Sequence, residues 1–266
     1  MKQRNITDKT DDTKERSLYT AFLKKNKDAP APFPLTKYLI DFLKETKANG
    51  IFIMPGVLSS TEDSWKKLLH MFLTLDNLEF FGFGNAYYPT YKSENGTQKK
   101  LTQEEEKKEQ DKIKDKIVDH ERYIIESGKR ILNINRNYQS DHSKMIFIFR
   151  YKGEGKWNFC DVLTIDNYDC FLEHIEIIAV STGSSNFSHS AYGINEKKEN
   201  FQAFNGESDI LMFYDKEYKK KIYYQIREEQ KKETSQIVLS ENITPVDKDF
   251  FEDMLRNLFK YILEKA

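Results

Sequence analysis

The sequence has few of the features that would place it outside the cell or in a membrane. It contains 2 cysteines, Cys160 and Cys170, which do not make the disulfide framework of a secreted protein. Residues 1–14 are polar and charged and lack the apolar core of a secretory signal. No run approaches the roughly 18 apolar residues that suggest a transmembrane helix. We therefore expect a cytoplasmic protein without a membrane partner.

The sequence also lacks a large net charge. Its 42 basic and 43 acidic side chains give a formal net charge of -1, so no overall field attracts nucleic acid. A local basic cleft is still compatible with this balance, because acids elsewhere on the surface cancel it in the sum. The length of 266 residues is sufficient to bury a sizeable core.

Helices and short apolar strands alternate along the chain, which predicts an α/β fold. Residues 1–15 are charged and without periodicity, so we expect them to be disordered, with a single domain over residues 16–266. Helical patterns predict helices over residues 16–27, from Leu35 to a glycine cap at Asn49-Gly50, from an N-cap at Ser60, and over residues 247–263. Apolar runs predict strands at residues 51–54, 78–83, 131–134, 145–149, 157–165, 175–180, 209–214 and 221–226.

Residues 93–130 form a run of mixed charge with few apolar positions. We interpret this run as a solvated helical insertion that either protrudes from the domain or takes part in a subunit contact. His120 lies within it and is expected to be solvated.

Two short motifs carry the candidate chemistry, and the first is His142-Ser143-Lys144, directly before the strand at residues 145–149. If the strand begins near His142, its two-residue period places His142 and Lys144 on the same face. A neutral imidazole is able to attack a phosphate while the ammonium group neutralises oxygen charge.

The second motif runs from Gly183 to Ser188, after the strand at residues 175–180 and before a predicted helix. A Gly/Ser turn between a strand and a helix exposes backbone N–H groups to a phosphate. Ser184, Ser185 and Asn186 add side-chain donors. An ordinary turn with a Ser or Asn helix cap explains this motif equally well when it is taken alone.

Together the two motifs resemble the signature of the phospholipase D superfamily, in the stretches HSKMIFIF and STGSSNFSHSAYG. The resemblance covers mainly residues 140–215 and implies a phospholipase D-like mixed β-sheet flanked by helices. It implies that His142 is a nucleophile that forms a phosphohistidine, and that Lys144 and Asn186 bind phosphate oxygens. It further implies that Ser184 positions the site, next to phosphate-binding groups at Gly183 and Ser185.

The family also has an acidic residue that orients the histidine, just before the next strand. Glu207, in Asn205-Gly206-Glu207, precedes the strand at residues 209–214, whereas Glu196 is nearer to the usual sequence distance. We prefer Glu207 because of the strand that follows it.

The chain departs from the family pattern in two places. The family has an aspartate a few residues after the lysine, and this chain has Phe147-Ile148-Phe149-Arg150 there, which favours a nuclease over a lipid hydrolase. His142 and Asn186 are also unusually far apart, so we interpret residues 151–174 as an insertion, a hairpin or a short helix, between two core strands.

The chain has one copy of each motif, which implies a homodimer with a shared site in which the second His142 is the general acid. No metal or cofactor is required. We expect a metal-independent DNA endonuclease, with a role in restriction or defence by analogy. The alternatives are a phospholipid or small phosphodiester hydrolase or transferase, and a non-catalytic nucleic-acid-binding member.

Other candidate residues carry weaker signals. Cys160, Cys170, His174 and His189 lack zinc-ligand spacing and are interpreted as individual residues, and His70 is placed on a helix surface or at the edge of the core. A loop after a predicted strand has aromatic and basic side chains that are able to stack bases, although exposed loop tyrosines are common: Tyr87, Tyr88, Tyr91 and Lys92.

Overall fold

The computed structural model describes residues 18–24, 34–58, 61–153, 157–158, 161–183, 208–214, 228, 237–239 and 248–265. The strands are β1 (Leu18–Lys24), β2 (Gly50–Pro55), β3 (Phe80–Phe83), β4 (Tyr91–Glu94), β5 (Thr97–Lys100), β6 (Arg130–Ile131), β7 (Lys144–Tyr151), β8 (Ile175–Gly183), β9 (Ser208–Tyr214) and β10 (Ile237–Leu239). The helices are α1 (Pro34–Glu45), α2 (Glu62–Leu73), α3 (Gln103–Glu126), α4 (Tyr168–Glu173) and α5 (Lys248–Lys265).

A mixed β-sheet organises the fold. Within the described residues it has 8 strands in the order β10-β1-β9-β8-β7-β2-β3-β6. β2, β3 and β6 run parallel to one another, and the other neighbouring strands are antiparallel. β4 and β5 pair separately as a hairpin. The predicted α/β class with a mixed sheet is confirmed.

Alternate side chains of the sheet fill two hydrophobic cores, one on each face. On one face, Ile53 of β2 and Ile146 of β7 share a core with buried residues of α1, α2 and α3. On the other face, Phe52 of β2 and Phe147 of β7 share a core with residues of α4 and α5. Helices therefore cover both faces of the sheet.

The link from α1 to β2 corrects the predicted glycine cap. α1 ends at Glu45, and the left-handed residue after it is Lys47, with φ of 53°. Gly50 is instead the first residue of β2, where a Cβ atom would lie 2.1 Å from the ring of Phe149. Close packing across the sheet therefore explains this glycine.

The predicted helix over residues 16–27 is wrong for its described part, because Leu18–Lys24 form the strand β1. β1 pairs with β9 along its whole length and with β10 at its end. Its aromatic and aliphatic residues are compatible with a strand as well as a helix. The backbone pairing with β9 and β10 favours the strand. Residues 1–15, which we expect to be disordered, lie outside the described residues.

The charged run over residues 93–130 does not protrude as one helix. Its first part belongs to the β4–β5 hairpin, and α3 packs along one face against the core. The buried positions of α3 are Ile113, Ile117, His120 and Ile124. His120 is 0% exposed, so the expectation that it is solvated is wrong.

The segment between β7 and β8 contains the short helix α4, and β7 and β8 pair as antiparallel neighbours. A short helix is one of the two forms expected for residues 151–174, and the interpretation of this segment as an insertion stays a prediction. The predicted strand at residues 157–165 is wrong in its described part, which has an isolated bridge from Leu163 to Ile134. The predicted strand at residues 221–226 lies outside the described residues.

Candidate active site

One edge of the sheet collects the motif residues that the structure describes. Pro55 at the end of β2 pairs with Lys144 at the start of β7. Met145, the next residue of β7, pairs with Thr182 near the end of β8, and Gly183 pairs with Asp209 in β9. The first motif and the beginning of the second therefore meet on adjacent antiparallel strands.

The loop before β7 holds His142 through a small hydrogen-bond network. The Ser143 N–H donates to Asp141 Oδ1 at 2.6 Å, a local turn that competes with an earlier start of the strand. The Asp141 N–H donates to the carbonyl of Ala86 at 3.3 Å. Ser140 donates through its hydroxyl to the carbonyl of Tyr88 at 2.6 Å and accepts from the Tyr88 N–H at 3.1 Å.

His142 itself is exposed, and its ring centroid lies 4.7 Å from that of Tyr87. Partial removal of water lowers the pKa of His142, the Lys144 ammonium lowers it further, and the Asp141 carboxylate partly opposes them. The lowered pKa favours the neutral imidazole near pH 7, the state in which a ring nitrogen has a free lone pair.

Lys144 is half-buried, and its Nζ donates to the backbone carbonyl of His142 at 3.0 Å. Alternation along β7 puts Lys144 on the same face as Ile146 and Ile148, which belong to the core formed with α1, α2 and α3. The ammonium group is thus held beside the histidine by the strand and by a contact to its backbone. This arrangement is suited to binding an anion next to the imidazole.

Gly183 is the last residue of β8 and is exposed. Ser184, Ser185 and Asn186 follow it directly in the sequence, and Glu207 directly precedes Ser208 of β9. These four residues lie outside the described residues. The same is true of Glu196, the alternative acid, and of the helix predicted after Asn186. Their proposed roles stay predictions.

Buried polar side chains near this edge were not predicted from the sequence. Asp209 is 2% exposed, Ser181 is 3% exposed and Asn85 is 1% exposed. Asn85 follows β3 closely and donates through Nδ2 to Asn137 Oδ1 at 2.7 Å. Asp209 alternates with Leu211 and therefore points to the same face as Lys144. The sequence feature that could have indicated a buried acid is Asp209 at the start of an apolar strand, and it was interpreted only as the boundary of that strand.

The weaker candidates take separate places. His70 is exposed on α2, as expected. Tyr87 is 36% exposed, Tyr91 is 55% exposed and Tyr88 is 4% exposed. Lys92 forms ion pairs with Glu94 and Glu105 at 2.8 and 2.6 Å. Among Tyr87, Tyr88, Tyr91 and Lys92, we place Tyr87 at the site because its ring contacts that of His142.

The described residues hold no group of three or more His, Cys, Asp and Glu side chains arranged to bind a metal ion. Cys170 has a free thiol, whereas Cys160 and His189 lie outside those residues. In the same part of the chain, no helix combines the length and the apolar character needed to cross a membrane.

A comparison with models of known protein families finds no match to this sequence. A comparison with curated proteins likewise finds none.

Proposed function

We propose that this protein is a phosphodiesterase of the phospholipase D-like type, and specifically a nuclease that cleaves DNA without a metal ion. The observation that carries the proposal is the antiparallel pairing of β7 with β8. This pairing brings the end of the first motif and the start of the second to one edge of the sheet, although the two are distant in the sequence.

The remaining motif residues are tied to the same edge by the chain itself. Asn186 is three residues after Gly183, a separation that the chain spans with at most about 11 Å. Glu207 is bonded to Ser208, which pairs with Lys24 of β1 at this end of the sheet. The described residues that flank this part of the chain, Gly183 and Ser208, therefore lie at the same end of the sheet as Lys144.

The proposed reaction has two steps. A neutral His142 nitrogen attacks phosphorus, a P–N bond forms, and the P–O bond to the leaving strand breaks. Water then attacks the phosphohistidine, which releases the second product and restores the imidazole. Lys144 and Asn186 bind the non-bridging oxygens, where negative charge is concentrated in both steps.

The leaving oxygen needs a proton, and a neutral His142 is not able to supply it. We assign this role to His142 of a second copy in a twofold dimer, which enters the step as an imidazolium. In the second step this histidine, now neutral, takes a proton from the attacking water and becomes an imidazolium again. Each copy thus contributes one motif set to a shared site.

A cleavage assay on DNA and RNA in the presence of EDTA tests the proposal. The wild type is expected to cut DNA, and His142→Ala is expected to lower the rate by about 10³-fold or more, because the nucleophile is lost. His70→Ala is the matched control, since His70 is exposed on α2 and is expected to leave the rate unchanged. Acid-labile phosphate on His142 should also be trapped in rapidly quenched reactions.

A strict requirement for a divalent metal, or full activity of His142→Ala, would contradict the proposed mechanism. Cleavage of phospholipids but not of DNA or RNA would instead assign the site to lipid chemistry. Binding of DNA without turnover would identify a non-catalytic member of the fold.

A further inference from the structure

Tyr87 is the aromatic side chain that the structure places against the proposed nucleophile. Its ring centroid lies 4.7 Å from that of His142, and the two ring planes are tilted by 50°. Tyr87 is 36% exposed, so part of the phenol surface remains accessible to a ligand. A substrate phosphate at His142 would therefore have an aromatic surface as its immediate neighbour.

The backbone on both sides of Tyr87 is fixed, unlike that of an ordinary loop tyrosine. The Tyr87 N–H donates to the carbonyl of Gly56 at 2.6 Å, and Ala86 forms a β-bridge with Gly56. On the other side, Tyr88 is 4% exposed and exchanges two hydrogen bonds with Ser140. The backbone that carries the ring is thus held in place before any substrate binds, which reduces the entropy lost on binding.

The chemistry of this surface favours a nucleobase. A phenol ring is uncharged and planar, and it stacks on the planar face of any base. Phospholipid headgroups and simple diesters offer no such face. Stacking also tolerates any base sequence, because every base has a π-surface.

From this arrangement we infer that Tyr87 is a platform on which the nucleobase next to the scissile phosphate stacks. The inference rests on the proposed function, because it assumes that the phosphate binds at His142. It defines the substrate class of the site as a diester that carries a base.

Two diesters with the same ethanol leaving group, which is not aromatic, test this role. One is the ethyl ester of thymidine 5′-monophosphate, and the other is the same ester with a hydrogen in place of the base, here called the abasic diester. Tyr87→Leu should lower kcat/KM on the thymidine diester about tenfold, mainly through KM, since one stacked base is lost. The abasic diester should react at an unchanged rate, and Tyr87→Phe should behave like the wild type on both.

Tyr91→Leu is the matched control, because Tyr91 is 55% exposed on the nearby strand β4 and is not assigned to the site. It should leave both substrates unaffected. Equal losses on the two diesters in Tyr87→Leu would overturn the inference and show that Tyr87 acts through His142. An unchanged thymidine diester rate in Tyr87→Leu, or an equal loss in Tyr91→Leu, would also overturn it.

A binding measurement separates this inference from the proposed function. The affinity of the full chain is measured for oligothymidylate and for an abasic oligomer of the same length. The wild type should bind the base-bearing oligomer about tenfold more tightly, and Tyr87→Leu should lose that difference. If this holds without any cleavage, the catalytic proposal fails and the stacking role stands. If cleavage occurs without this preference, the stacking role fails alone.

Discussion

His120 shows how the surroundings of one residue set its chemistry. Its ring stacks on Trp65 with 4.2 Å between the centroids, and Nδ1 lies 2.6 Å from the carbonyl oxygen of Lys116. Burial lowers the pKa of His120 to about 4. Nε2 has no hydrogen-bond partner, which fits a neutral ring that is protonated on Nδ1 and donates to the Lys116 carbonyl.

This environment predicts a stability that depends on pH. The pKa falls from 6.5 unfolded to about 4 folded, so the unfolded chain binds the proton more readily. The contribution is complete above pH 6.5 and is lost as the pH falls toward 4, for a total of about 3 kcal/mol. Urea unfolding at several pH values should show this loss, and His120→Phe should lose less stability than the wild type over the same range. Equal losses in the two proteins would contradict the assignment.

Among the elements, the pairing of β2 with β7 brings two backbones and their side chains into close contact. Gly50 pairs with Phe149, whose ring is 0% exposed and packs against Phe171 and Phe259. The ring therefore has little room to move away from a Cβ atom at position 50. The same pairing continues to Lys144 at the candidate site.

Gly50→Ala is therefore expected to destabilise the fold by about 1–3 kcal/mol through overpacking. The free energy of unfolding in urea measures this effect. Because the clash is with the Phe149 ring, Gly50→Ala combined with Phe149→Leu should cost less than the sum of the two single changes. Additive costs would show that the ring is not the obstacle.

The pattern of apolar residues predicted most of these elements, and its failures have physical causes. β2, β3, β7, β8 and β9 are short apolar runs that were interpreted as buried strands, and they were predicted close to their observed bounds. Leu18–Lys24 were predicted as a helix because seven residues with clustered apolar side chains fit both periods. The pairing with β9, which no local pattern contains, favours the strand.

The candidate site was predictable to a different extent. His142 and Lys144 were recognised from their motif, and the structure places them at the edge where β8 ends. The buried Asp209 and Asn85 were not recognised, because nothing local distinguishes a buried polar residue from one at a strand boundary or in a loop. The contact of Tyr87 with His142 depends on the bridge to Gly56, which lies in another part of the sequence.

For the whole molecule, the single motif set predicts that two copies share one site. Wild type and His142→Ala are mixed in varying ratios under conditions that exchange subunits, and DNA cleavage is measured. If both histidines are needed, activity follows the square of the wild-type fraction, because only dimers of two wild-type copies are active. Activity in direct proportion to the wild-type fraction would indicate independent sites.

The sequence by itself determined the α/β class, the positions of most strands and the two motifs, because periodicity and turn chemistry depend on residues that are close along the chain. Only the tertiary structure decided which strands are neighbours, which residues surround His120, and that Tyr87 contacts His142. These outcomes depend on packing and hydrogen bonding between distant segments, whose strength is set by shape and burial in the folded molecule.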